Sequence, residues 1–240
     1  MTQSARTRAR GDGPRTRGGW TPAGTAARRR AAQAERGTGR GQRTRQRILD
    51  AARRVFERMG YTDAGIEEIV AEAGLARGSF YTYFPSKMEV FKVLAAEVAE
   101  SIAAAVQHEP GERGLDPLAA LDRSNRRYLA VYQRHAAIYG LIEQLASIDP
   151  ELKELRSRYR QIHVDRVAAR IRSWQRRGLA MAAVDPDITA AALVSMTSNF
   201  CYWWLVGEEQ HDGEAAAVTL TALWAGSLGL GGRRAESGTA

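Results

Sequence analysis

Residues 44–91 read TRQRILDAARRVFERMGYTDAGIEEIVAEAGLARGSFYTYFPSKMEVF, and the reading of this stretch decides the fold. Within it, Ile66, Ile69, Val70 and Ala73 recur at helical spacing, which makes one apolar face. Gly74 follows where a helix must end in a left-handed conformation, and Leu75 is placed to plug the corner. A second short helix, from Ala76 to Phe84, buries Phe80 and Phe84 and turns Arg77, Ser79, Tyr81, Thr82 and Tyr83 outward. So tight a turn crosses two helices steeply, the geometry that lays a second helix in a DNA major groove. The outward side chains donate to phosphate, and Arg, Ser and Thr also read base edges.

Four pieces of this stretch carry a family resemblance. They are Thr44–Ala52 (TRQRILDAA), Phe56–Tyr61 (FERMGY), Ile69–Gly74 (IVAEAG) and Arg77–Lys87 (RGSFYTYFPSK). In this unbroken order they resemble the DNA-binding head of the TetR family of bacterial transcriptional regulators. The resemblance implies an all-α chain, with an N-terminal three-helix helix-turn-helix domain and a C-terminal helical domain for effector binding and dimerisation. It implies DNA contacts from Thr44 and Arg45 and from Arg77, Gly78, Ser79, Tyr81, Thr82, Tyr83 and Lys87. Of these, Tyr81 and Lys87 are expected on phosphate, and Arg77, Ser79 and Thr82 at bases. The chain departs from the pattern at Ala64–Gly65 and at Ala76, where the family usually has hydroxyl caps, and at Met88, where an acidic residue is common. Gly65 remains a tolerable cap, with Glu68 at capping-box distance.

The formal charge of +8 is unevenly placed. Residues 1–43 hold eleven arginines against Asp12 and Glu35, a local charge of +9, so the other 197 residues carry a net of −1. This Arg/Gly-rich segment has no apolar periodicity and is expected to be a disordered arm. Two readings of it stay open: a basic arm on DNA phosphates or a minor groove, and a passenger of coding bias or a misassigned start. It lacks the apolar centre of a signal peptide. With a single cysteine, Cys201, a disulfide framework is excluded, and a reducing compartment, the cytoplasm, is expected. The expected divisions are 1–43 arm, 44–91 head, 92–232 effector-binding and dimerisation domain, and 233–240 disordered tail.

Helix signals fill the rest of the chain. The first helix is expected over 44–59, ended by Gly60, and Ser86 with Glu89 forms a capping box opening the fourth. Asp116-Pro117, Asp149-Pro150 and Asp185-Pro186 each place a capping Asp before a proline at the first helical position. The spacing predicts helices over 117–133, 136–147 and 150–177. The arginines around the last of these read as solvated surface. Residues 188–207 and 215–232 hold no charged group, and polar residues such as Thr189, Ser195 and Asn199 interrupt the first of them. These interruptions and the glycines argue against a membrane span. A helix apolar on two faces must bury both, so these two helices are expected to pair with a second copy.

A pocket in such a domain is expected where polar residues interrupt apolar stripes. The polar candidates are Asn125, His163 and Asn199, with Glu143 beside them; the bulky ones are Tyr128, Tyr132, Tyr139, Trp174, Met196, Phe200 and Trp203. Such a lining suits a bulky apolar or aromatic effector. The expected function is a homodimeric repressor released from an inverted-repeat operator in double-stranded DNA by that effector. A regulator or activator working through protein contacts, without a small molecule, is the alternative. A helical enzyme is a third class, but no nucleophile set, metal-ligand spacing or phosphate-binding glycine loop supports it. No catalytic residue, metal or cofactor is expected.

Overall fold

A computed structural model describes residues 39–107, 115–207 and 209–230. Among them are eight helices and no strand: α1 Gly39–Asp63, α2 Ile66–Ala73, α3 Arg77–Tyr83, α4 Lys87–Ala105, α5 Pro117–Leu145, α6 Pro150–Arg176, α7 Pro186–Leu205 and α8 Gly213–Leu228. The fold is therefore all-α, a helix-turn-helix head followed by a helical domain. The chain divides into two units between Arg45 and Gln46. The described part of the first is the opening of α1, where the Thr44 hydroxyl donates to the Arg40 carbonyl at 3.1 Å. Everything that follows on packing concerns the second unit.

The arm expected over 1–43 lies outside the described residues up to 38, and so does the tail expected over 233–240. Residues 39–43, however, are helical, so α1 begins five residues earlier than expected. Arg40, Gln42 and Arg43 favour a helix, and Thr44 bonds back along it rather than capping it. At the other end Gly60 breaks the helix as anticipated, with φ 74°.

The head packs as its spacing predicts. Ile48, Ala52, Val55 and Phe56 of α1 are buried against Ile69 and Val70 of α2 and Phe80 of α3. Gly74 sits at φ 62°, ψ 43°, and its N–H and that of Leu75 close the end of α2. A ring cluster of Phe56, Tyr61 and Phe91, with centroids 5.4–5.6 Å apart, ties α1 to α4. The apolar core does not stop at residue 91. One continuous cluster runs from Ile48 through Phe91 and Val98 to Tyr132, Leu152 and Cys201. A second, around Ile171, Leu193, Trp224 and Leu228, fills another part of the helical domain. Helix α4 belongs to both the head and the domain, so a cut at 91/92 would divide one core.

One expectation about the elements fails. The separate helices expected over 117–133 and 136–147 are a single helix, α5. In phase after Tyr132 the sequence has a polar residue, His135. In the structure His135 is half-buried and in contact with Arg53 of α1, so the stripe continues through it to Tyr139 and Ile142. Gly140 does not break the helix either. A Cβ there would stand 2.6 Å from a methyl of Val206, so the glycine serves close packing of α5 on the end of α7. Leu118 is exposed at the first turn of α5.

All three Asp-Pro starts behave as read. Asp116, Asp149 and Asp185 each accept from backbone N–H groups of the first turn they precede. Ser86 likewise accepts from Glu89 N–H at 3.2 Å. No described helix is long and apolar enough to cross a membrane.

Candidate nucleic-acid interface and cavity

Two places in the second unit gather chemistry-bearing side chains. The first is the outer surface of α3 and the start of α4. Phe80 is fully buried and Phe84 nearly so, which fixes the rotation of α3 and turns Arg77, Gly78 and Tyr81 to solvent. Tyr81 is 49% exposed. Arg77 reaches across the turn to Glu67 of α2 and also bonds Tyr81, and these contacts, that with Tyr81 first, raise its guanidinium above the ordinary arginine range. Ser79 and Thr82 are half-buried, and the Thr82 hydroxyl leans on the Gly78 carbonyl at 3.4 Å. A Cβ built on Gly78 would meet open space, so nothing in the packing requires a glycine there.

Tyr83 and Lys87 differ from expectation. Tyr83 is half-buried against the apolar cluster rather than free on the surface. Lys87 turns inward: its ammonium donates to the carbonyls of Tyr61 at 2.7 Å and Ala64 at 2.6 Å, and lies 4.3 Å from the Tyr61 ring. Burial pulls its pKa below the usual lysine value, with Asp63 and Glu68 opposing. The residue closes the carbonyl end that Gly60 and Gly65 leave open, a use of a cation that sequence spacing does not reveal. Thr44 and Arg45 lie in the first unit, on the opening turns of α1. Glu68 folds back over Gly65, against which a Cβ would collide, so the missing hydroxyl cap leaves room for the carboxylate.

The second place is a cavity of about 540 Å³ among α4, α5, α6 and α7. Its α4 wall is small and apolar, with Ala95, Ala99 and Ala103 at helical spacing. Tyr128 and Tyr139 enter from α5, His163 from α6, and Asn199 and Trp203 from α7. Glu143 lines it too, with its carboxylate held by Arg156 Nε at 2.6 Å. Burial drives the His163 imidazole down to about 4, with Arg166, Arg170 and Arg160 adding to the effect. The same cause raises the Tyr139 phenol to about 12.

The other expected lining residues are elsewhere. Asn125 and Trp174 border a separate void of about 40 Å³, room for about one water molecule. The Asn125 amide donates to the Thr221 hydroxyl at 3.2 Å, a buried tie between α5 and α8 rather than a ligand contact. Tyr132 is fully buried and touches neither space. Met196 and Phe200 pack on the core, Phe200 against Trp204 and His211. A stripe of large and polar residues does not say which of them meet a void, because that depends on which helix faces them. Conversely, Arg156, Tyr159, Arg160 and His163 share one face of α6 and all line the cavity. Arg156 and Arg160 are exposed, as the solvated reading of this helix has it, and they line the cavity as well. Their spacing with Tyr159 and His163 was the available signal.

Both halves of this arrangement match known profiles. Residues 48–94 match that of "Bacterial regulatory proteins, tetR family", and residues 122–228 that of "Transcriptional regulator EthR, C-terminal domain". The chain belongs to the TetR family. It is a DNA-binding transcriptional regulator, not an enzyme. Among its TetR-family relatives, the regulator EthR of Mycolicibacterium smegmatis is 25% identical over 183 residues, 75% of this chain and 84% of that one. The repressor BepR of Brucella suis is 27% identical over 181 residues, covering 70% and 84%. Solved structures agree on the fold. GusR of Salmonella enterica superposes with a TM-score of 0.65 at 22% identity over 81% of this chain and 99% of its own. A transcriptional regulator of Saccharomonospora viridis in complex with choline gives 0.66 at 20% over 76% and 95%.

Proposed function

We propose that this TetR-family regulator is a homodimeric repressor, acting in the cytoplasm, that a bulky small molecule releases from an inverted-repeat operator. The observation that carries the effector part is the double role of α4. Its first residue, Lys87, clamps the end of α1, and Glu97 further along pairs with Arg53 of α1 at 3.3 Å. Between and beyond these, Ala95, Ala99 and Ala103 form a cavity wall. A ligand that displaces α4 therefore displaces the head. The cavity has the size of a drug-sized ligand site. Release then follows from population shift, the effector favouring the arrangement in which two recognition helices are wrongly spaced.

The DNA contacts we assign are those of Thr44, Arg45, Arg77, Gly78, Ser79, Tyr81 and Thr82, with Tyr83 and Lys87 supporting the surface from within. The space left at Gly78 suits close approach of a phosphate backbone. Dimerisation through α7 and α8 is supported by their outward residues. Ile188 is 72% exposed, and Val218 and Leu223 are exposed beside the small residues Ala215, Ala222 and Gly226 of α8. Like residues on a second copy would cover them by two-fold symmetry, and an inverted-repeat operator would mirror that axis.

The test is binding of the purified full chain to DNA from its own upstream region, with sedimentation on the same sample. A dimer that binds one inverted repeat, and that a cavity-binding molecule releases, supports the reading. A monomer at micromolar concentration refutes the interface. DNA binding that no cavity ligand alters refutes the effector.

A further inference from the structure

The charge on the cavity wall points to the chemical class of its occupant. Three residues that line the space carry charge: Glu143, Arg156 and Arg160. Glu143 and Arg156 neutralise each other through their contact at 2.6 Å. Arg160 has no such partner. Its guanidinium donates to two neutral acceptors of α7, the Ser195 hydroxyl at 2.7 Å and the Ala191 carbonyl at 3.4 Å. Among the described residues it pairs with no carboxylate. His163, one turn further along α6, stays neutral at pH 7 because burial holds it down to about 4, so it does not alter the balance. The lining thus carries one uncompensated positive charge, beside neutral polar groups such as Gln144, Ser195, Ser198 and Asn199 and a majority of aliphatic and aromatic side chains.

A cationic ligand meets two obstacles here. It would approach Arg160, and it would have to take Glu143 from Arg156. An anion meets neither, and a carboxylate matches the planar fork of a guanidinium. We propose that the cavity selects amphipathic carboxylates, with the anionic group on Arg160 and Ser195 and the apolar body along Ala95, Ala99 and Ile102 of α4. This deepens the effector reading above and rests on it. The choline found in one structural relative is a cation, so the two proteins would differ in the sign of charge they accept.

Three probes with the same ten-carbon chain separate the terms: decanoate, 1-decanol and decyltrimethylammonium. Each is titrated calorimetrically into the full-length protein below its micelle concentration, and each is then tested for release of the upstream DNA. Decanoate should bind tightest, by about tenfold or more over decanol, as a charge-assisted hydrogen bond would give, with the ammonium weakest. Arg160→Gln should lose that advantage while binding decanol as the wild type does, which shows that the variant is folded. Ala99→Trp should block all three by filling the α4 wall. Equal affinities, preference for the ammonium, or decanoate binding unchanged in Arg160→Gln overturns the selectivity. If decanol or the ammonium releases DNA while decanoate does not, the selectivity fails and the effector reading stands. If none of the probes binds, or Ala99→Trp binds decanoate normally, the selectivity fails and the cavity loses its claim to be the effector site.

Discussion

The helix-turn-helix head and the helical domain behind it use polar side chains in opposite ways. In the head, the polar groups that matter are tied to partners on neighbouring segments of chain: Arg77 to Glu67, Lys87 to Tyr61 and Ala64, Arg47 to the Ala73 carbonyl. Each tie closes a helix end or braces a turn. In the helical domain, polar groups from α5, α6 and α7 are brought to a void, and Arg160 is left facing it with neutral partners only. The first arrangement suits a surface of fixed shape, the second a space that accepts a ligand. The difference teaches that the head is braced by ties between segments brought together by the fold, while a ligand-sized space comes from helices that meet without filling the gap between them.

The comparison breaks first if the head is not held as described. Phe80 is wholly buried at the crossing of α2 and α3, so Phe80→Ala should cost about 3–5 kcal/mol, measured by denaturant unfolding. A loss below about 1 kcal/mol would mean that the head is loosely packed.

A second effect belongs to the helical domain and depends on pH. The folded-state pKa of His163 is depressed to about 4 from an ordinary 6.5. Above pH 6.5 both states are neutral and the residue has no effect. As pH falls from 6.5 towards 4 the unfolded chain takes up a proton that the folded chain refuses, so stability falls. The loss saturates at about 3 kcal/mol as an upper bound. His163→Gln should flatten the stability profile between pH 6.5 and 4, and a variant that still falls as steeply would assign the titration to another group.

Lys87→Met sharpens the contrast from the head side. It leaves two carbonyls near the end of α1 without their donor, at a cost of about 1–3 kcal/mol. Its effect on DNA affinity should be the same for every sequence, since the residue supports the surface rather than reading bases. A competition assay in which only one base position changes preference would show that the ammonium reads DNA directly.

The smallest effect is expected at Tyr132, whose hydroxyl is buried with no hydrogen-bond partner among the described residues. Removing it in Tyr132→Phe should leave stability unchanged or raise it by up to about 1 kcal/mol. A clear loss in thermal unfolding would reveal a partner for that oxygen.

The head was legible in the sequence because its determinants are local. The spacing of Ile66, Ile69 and Val70, the left-handed Gly74, the pair Phe80 and Phe84 and the cap at Ser86 each act within one or two turns of chain. The same holds for the Asp-Pro starts, which set three later helices correctly. What escaped was whatever depended on an approach from elsewhere. His135 continues the α5 stripe only because Arg53 of α1 meets it, and Lys87 turns inward only because α1 ends beside it.

The cavity residues divide along the same line. Tyr128, Tyr139, His163, Asn199 and Trp203 stood out as aromatic or polar interruptions and do line the space; Tyr132, Asn125 and Trp174 stood out equally and do not. Sequence periodicity specifies which face of a helix is buried, but a buried face is compatible with a packed neighbour or with a void. Only the tertiary structure decides between them, because a void is set by the distance between helices and by the volumes facing each other. Thus the sequence by itself determined the all-α class, the helix-turn-helix and the caps. The positions of the helices in space decided that the alanines of α4 and the arginines of α6 share a wall.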